Sequence, residues 1–220
     1  MRDINIAIDG PSGAGKGDTS QGVKDRLGYR SLDTGAMFRG IGLYIHENDL
    51  HGETFDPSFL EHLILSFDEN NHLILNGENV EGRIRNKEIG SIASQYSQRP
   101  EVRSCLLKQQ QDIVKSKRYV VDGRDIASVV IPNAELKIYL TASAEERARR
   151  DVLRDKKDPL DMQVFKEYLH AINQRDYDDM NREIAPLVQV PDAIVVDTTE
   201  MTISEQIEVV YNLAQDRIHN

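Results

Sequence analysis

Short apolar runs alternate along this chain with longer stretches whose apolar positions recur at helical spacing. Residues 4–9, 29–33, 119–122, 135–140 and 193–197 are rich in β-branched side chains and run out in Asp or Thr. Continuous apolar runs of that length read as buried strands of a parallel sheet covered on both faces. Between them lie helical segments with recognisable starts. Ser143-x-x-Glu146 and Thr202-x-x-Glu205 are capping boxes, in which hydroxyl and carboxylate satisfy N–H groups that the first helical turn leaves open. After Thr202, Ile207, Val210, Tyr211, Ala214 and Ile218 keep to one face, so a C-terminal amphipathic helix is expected. Strand and helix in alternation predict an α/β fold around a parallel sheet of five strands.

Residues 67–84 break that rhythm. Asp68-Glu69-Asn70-Asn71 precedes His72-Leu73-Ile74-Leu75, and Asn76-Gly77 follows. Asn-Gly between alternating runs is a hairpin signal. Two readings stay open from pattern alone: a small antiparallel insert flanked by helices, or a plain surface hairpin.

Charge narrows the function classes. Of the 220 residues, 27 are Lys or Arg and 37 are Asp or Glu, a formal net charge of −10. Sequence-independent nucleic-acid binding needs clustered cations to release counterions, so that balance argues against it. It argues equally against adhesion to an anionic membrane. A small anionic substrate remains compatible, since a cationic site can sit inside an acidic shell. The single cysteine, Cys105, excludes an internal disulfide or a cysteine metal cage and fits a reducing compartment. The first apolar run is too short for a signal peptide or a membrane span, and a cytoplasmic protein is expected. Nothing in the pattern requires more than a monomer.

The strongest local signal follows the first run: Gly10-Pro11-Ser12-Gly13-Ala14-Gly15-Lys16-Gly17-Asp18-Thr19. Glycines let successive N–H groups turn inward on phosphate oxygens. Lys16 adds a point charge at the terminal phosphates, and the helix that follows presents its N-terminus. Three later stretches are candidates for the rest of a site. Arg39 lies one turn into a helix that starts just past a strand end, where ligands gather in open α/β sheets. In Asp122-Gly123-Arg124-Asp125, the first residue ends an apolar strand and the rest sit at the sheet's carboxyl edge. Arg175, Asp179 and Arg182 fall at i, i+4 and i+7 on one helix face. The plain alternatives are a solvated arginine, a surface Arg–Asp pair and a salt-bridge ladder.

Taken in order, these segments resemble the bacterial-type cytidylate kinases, a P-loop nucleoside monophosphate kinase family. The segments are Leu32-Asp33-Thr34-Gly35-Ala36-Met37-Phe38-Arg39; Ala93-Ser94-Gln95 with Pro100-Glu101-Val102-Arg103; Asp122-Gly123-Arg124-Asp125; and Arg175-Asp176-Tyr177-Asp178-Asp179-Met180-Asn181-Arg182. The resemblance spans nearly the whole chain. It implies a three-layer P-loop fold in a single domain, with core 1–36, 117–145 and 184–220. The antiparallel insert, about 37–116, would enlarge the monophosphate-binding region, and a short helical lid would span about 146–183.

The resemblance further implies transfer of the γ-phosphate of ATP, bound with Mg²⁺, to CMP or dCMP. On it, Gly10 through Thr19 hold ATP. Thr34, Arg39, Arg124 and Arg182 contact the acceptor phosphate, while Ser94, Arg103 and Asp125 read cytosine. Arg175 and Asp179 bind the sugar hydroxyls, and Arg147 and Arg150 are the adenine-side and lid arginines. Lys16, Arg124, Arg150 and Arg182 would carry catalysis, and no metal would be held by protein ligands alone. The loop departs from the family's Gly-Lys-Gly-Thr: Asp18 stands where Thr is expected and Thr19 follows. Either a metal bridges Asp18 to phosphate, or Asp18 points away while the Thr19 hydroxyl substitutes. Rival readings are another small P-loop kinase or a nucleotide-binding module with impaired catalysis. A GTPase switch is disfavoured, since Asn86-Lys87-Glu88-Ile89 lacks the required Asp.

Overall fold

Every apolar run becomes a strand in the computed structural model, which describes residues 2–219. In chain order the first elements are β1 (Ile6–Asp9), α1 (Lys16–Leu27), β2 (Arg30–Ser31), α2 (Thr34–Glu47), β3 (Leu65–Phe67), β4 (Leu73–Leu75) and β5 (Glu78–Asn79). Next come α3 (Glu81–Ile84), α4 (Lys87–Tyr96), α5 (Pro100–Val114), β6 (Tyr119–Gly123) and β7 (Leu136–Thr141). The chain ends with α6 (Ala144–Arg154), α7 (Met162–Asn181), β8 (Ile194–Asp197) and α8 (Ile203–His219). Two compact units result, one of Met1–Ser31 with Lys117–Asn220 and the other of Leu32–Ser116.

The first unit is built on a parallel five-stranded sheet of order β2-β6-β1-β7-β8. Burial follows position in that order. All four residues of central β1 are buried, whereas β7 alternates and edge strand β8 leaves Val195 48% exposed. Coverage of both faces, expected for every strand, therefore holds only at the sheet's centre. Ile6, Ile8, Ile138, Leu140 and Val196 pack with Val210, Ala214 and Ile218 of α8 in one apolar core. Each Ile, Leu or Val among them contributes about 1.5–3 kcal/mol by leaving water. The Thr202–Glu205 box forms in full, with Thr202 N–H donating to Glu205 Oε2 at 2.8 Å and Glu205 N–H to Thr202 Oγ1 at 3.3 Å. At Ser143 only half of it forms: Glu146 N–H donates to Ser143 Oγ at 3.2 Å, but Ser143 N–H donates to Thr199 Oγ1.

Register brings the strand ends level. Asp9 of β1 pairs with Gly123 of β6 on one side and Tyr139 of β7 on the other. At that carboxyl edge, the crevice where α/β proteins bind ligands, lie the glycine-rich loop and the Asp122–Asp125 turn. Two features here escape the periodic pattern. A turn of π-helix, Ile126–Val130, follows β6 directly. Arg182 leaves α7 with extended backbone (φ −61, ψ 141), so the expected helix face stops before it.

In the second unit, β3, β4 and β5 form an antiparallel sheet of three strands, which decides between the two readings of residues 67–84. Asn76 and Gly77 both take positive φ (50 and 88), as a two-residue hairpin turn with right-handed strand twist requires. This unit begins at Leu32, so α2 belongs with it, although the insert was expected only from about residue 37.

Candidate active site

The loop after β1 takes its shape from close backbone approaches. A Cβ on Gly10 would strike the Leu140 carbonyl of neighbouring β7, and Gly10 itself has φ +149. Gly15, at φ +93, is the N-cap of α1, and a Cβ there would strike the Gln206 amide. No side chain caps α1, so its first N–H groups remain open to an anion. Lys16 is 7% exposed, and its Nζ donates to the Pro11 carbonyl at 2.7 Å. Burial pushes that ammonium down to about 7. Arg124 pushes the same way, and Asp122, Asp9 and Asp179 oppose it. A phosphate arriving beside Lys16 would restore its charge.

These residues wall a cleft of about 770 Å³. Ser12, Gly13, Gly15, Lys16, Gly17 and Asp18 form its floor. Asp122 and Arg124 close one side, and Arg150, Asp151, Leu153 and Arg154 of α6 another. Met201, Thr202, Ile203 and Gln206 complete it from the start of α8. Polar groups suited to phosphates thus meet an apolar wall of Leu153, Met201 and Ile203.

Two residues assigned to ATP are placed elsewhere. Thr19 is fully buried, and its hydroxyl donates to Gln206 Oε1 at 3.0 Å, so it ties α1 to α8 and does not substitute for the displaced hydroxyl. Exposed Asp18 faces the cleft instead. Arg147 is 4% exposed and bidentate to Asp176 (2.9 and 2.6 Å), with further bonds to Ala142 and Ser12 carbonyls. It is a strut joining α6, α7 and the loop, and it does not line the cleft. Arg150 does line it, steered by Glu146 and by the hydroxyl and carbonyl of Thr198.

Among the residues expected to hold the acceptor, Arg124 Nε donates to Asp179 Oδ2 at 2.6 Å. Arg182 NH2 lies 3.7 Å from Asp125 Oδ1, and its Nε donates to the Ala185 carbonyl. The segments after β6 and at the end of α7 thus interlock. Exposed Arg175 stands apart from that pairing, since Asp179 bonds to Arg124 and not to its helical neighbour.

The second unit holds the other candidates. Asp33 caps α2 by accepting from Ala36 N–H, and its other oxygen pairs with Arg85 at 2.9 Å and Arg39 at 3.7 Å. Thr34 is the first residue of the same helix. Arg39 Nε is buried without a hydrogen-bond partner among the described residues, as suits a cation awaiting an anion. Arg103 of α5 lies over the Phe38 ring at 5.7 Å and donates to the Ser97 carbonyl, while Ser94 on α4 is exposed.

Several residues around the site carried no usable signal. Gln206 sits on the buried face of α8 in step with Val210, Ala214 and Ile218, and its polarity there was the one available clue. Thr198 and Met201 belong to a stretch without periodicity, and Thr202 read only as a helix cap. Asp9, buried at the end of β1, reads in sequence as a strand terminus only.

A parallel sheet with a glycine-rich loop between β1 and α1, closing on a buried lysine, defines a P-loop α/β phosphate-binding protein. A solved structure of an uncharacterized protein from Eubacterium ventriosum shares the fold, with TM-score 0.56 and 9% identity over 98% of this chain and 99% of the other. The chain belongs to the cytidylate kinase family, whose model matches residues 6–216. A cytidylate kinase of Caldicellulosiruptor bescii is 42% identical over 100% of this chain and 99% of its own length. One from Bacteroides fragilis is 41% identical, covering 94% of this chain and 95% of the relative. No helix among the described residues is long and apolar enough to cross a membrane.

Proposed function

We propose that this protein transfers the γ-phosphate of ATP to CMP, and to dCMP, giving CDP or dCDP and ADP, as a cytoplasmic monomer. Membership of the cytidylate kinase family along residues 6–216 carries the reading, and the cleft around Lys16 gives it a physical basis. Gly10 through Asp18 cradle the triphosphate with backbone N–H groups, and Lys16 meets its terminal phosphates. Arg150 neutralises charge from the α6 side. Thr34, Arg39, Arg124 and Arg182 take the acceptor phosphate, Ser94, Arg103 and Asp125 the cytosine, and Arg175 and Asp179 the sugar hydroxyls.

An oxygen of the acceptor phosphate attacks the γ-phosphorus as the bond to the β,γ-bridging oxygen breaks, and ADP leaves with that electron pair. The attacking oxygen is already ionised at neutral pH, so no general base is required. What the reaction asks of the protein is alignment and cations around a spreading negative charge. Arginine suits this, being planar and permanently charged. Asp18 and Asp122 line the cleft beside Lys16, and carboxylates with phosphate oxygens fit Mg²⁺. That ion, arriving with ATP, would neutralise β- and γ-phosphate charge.

Coupled ADP-release assays with CMP, dCMP, UMP and AMP under Mg²⁺-ATP test the reading. Transfer to CMP and dCMP above the others is the expected result. Transfer to AMP but not CMP would overturn the base assignment, and ATP binding without transfer would leave a nucleotide-binding module.

A further inference from the structure

Asp9 closes β1 one residue before the glycine-rich loop and is 2% exposed. Both its oxygens are used across the sheet edge. Oδ1 accepts from Ile126 N–H at 3.0 Å and Oδ2 from Ala127 N–H at 2.7 Å. Those donors open the π-turn that continues directly from Asp122-Gly123-Arg124-Asp125. A helical turn ordinarily draws such a cap from its own N-cap side chain. Here the N-cap is Asp125, whose side chain makes no capping bond and faces Arg182 instead. The cap comes from a residue more than a hundred positions earlier in the chain.

A forked pair of charge-assisted bonds fixes both the position and the tilt of two successive peptide planes. Asp9 cannot drift, because Gly10 rests against the Leu140 carbonyl. The turn is equally tight on its own side, where a Cβ on Gly123 would meet the Ile126 side chain at 2.8 Å. We propose that Asp9 is a positioning residue for the acceptor, tying the segment that carries Arg124 and Asp125 to the phosphate loop that carries Lys16. This rests on the assignment of Arg124 and Asp125 to the acceptor nucleotide. Burial and Asp125 both push the Asp9 carboxyl up, while its two N–H donors and Lys16 hold it down. A neutral hydroxyl or amide would cap the turn without that desolvation, so the two-oxygen fork is the feature the site retains.

Asp9→Asn keeps the shape but sets an NH₂ group against one of the two N–H donors. Ala127→Pro removes the donor to Oδ2 from the opposite side, at a position in the first turn where proline is tolerated. Calorimetric titration should show each variant binding CMP about tenfold more weakly. The ATP affinity of each should stay within about threefold, and kcat should fall about a hundredfold, as misplacement by an ångström would cause. Combined with Arg124→Lys, Asp9→Asn should cost far less than it does alone, because both act through one guanidinium. Equal loss of CMP and ATP affinity in both variants, unchanged CMP affinity, or additive effects in the double variant would each overturn the proposal. If Arg124→Lys weakens CMP binding and Asp9→Asn does not, only the role of Asp9 fails. If Arg124→Lys leaves CMP binding untouched, the acceptor assignment fails with it.

Discussion

The guanidinium of Arg124 and the carboxylate of Asp179 are joined at 2.6 Å across 55 residues of sequence, with only 17% and 18% of the two side chains exposed. One follows β6 and the other lies two residues before the end of α7, so the bond ties the end of that helix to the sheet edge. It also offsets the charge of Arg124. On the proposed acceptor assignment, an incoming phosphate would share that arginine with a carboxylate already in place.

Removing the carboxylate should therefore be felt in stability and at one substrate only. Asp179→Ala leaves a largely buried cation without its partner and should lower the unfolding free energy by about 2 kcal/mol. The KM for CMP should rise about tenfold, with the KM for ATP nearly unchanged. Denaturant unfolding and initial rates measure the two effects. An equal rise in both KM values would place the pair outside the acceptor site.

Lys16 predicts a pH dependence with the same sign as that of a paired carboxylate, stability rising with pH, but in an alkaline window. Its folded-state pKa, about 7, lies below the unfolded value of about 10.4. Between the two, the unfolded chain holds the extra proton. The Lys16 contribution to stability therefore rises with pH through that window, by up to about 1.4 kcal/mol per unit. Lys16→Met should accordingly be more stable than the parent at pH 7, with the advantage shrinking toward pH 10, while kcat drops about a hundredfold or more. Thermal unfolding of both proteins from pH 6.5 to 10 checks it, and parallel stability curves would remove the buried cation from the account.

How much of this was legible in sequence depended on whether a residue's task was local. Strands, helix N-caps and the Asn76-Gly77 turn are written in neighbouring residues, and each formed where the pattern placed it. Strand β2 shrank to Arg30–Ser31 at the sheet edge, and the π-turn after Asp125 has no periodicity to announce it. Around the site, long-range pairings were the unreadable part. The strut role of Arg147, expected on the adenine side, was hidden because Asp176, its partner, is 29 residues away. Asp179 was paired in pattern with Arg175, four residues back, yet the nearer approach came from Arg124 on another element.

Thr19 supplies a test of one such long-range pairing. Thr19→Val removes the hydroxyl that donates to Gln206 Oε1 and leaves that acceptor buried without this donor. The expected cost is about 1–3 kcal/mol of unfolding free energy. Turnover with saturating Mg²⁺-ATP should stay within about threefold, since the hydroxyl faces α8 and not the cleft. Collapse of kcat without loss of stability would return Thr19 to the phosphates.

Asp18 carries the strongest expectation, because its charge is opposite to everything else the phosphate loop offers. The residue is exposed in the first turn of α1 and lines the cleft with Lys16. An acid there is favourable to the helix dipole while the cleft holds no anion. Once a triphosphate arrives, the same charge repels it unless a divalent cation stands between them. Asp18→Thr should therefore bind metal-free ATP about tenfold more tightly than the parent, roughly the Coulomb energy of one removed charge at a solvated site. Under saturating Mg²⁺ the difference should narrow or reverse, because the parent carboxylate then has a cation to face. Titrating ATP into both proteins across a range of Mg²⁺ concentrations separates the cases. The parent should show the steeper dependence on Mg²⁺, and superimposable curves would mean that Asp18 turns away from the bound nucleotide.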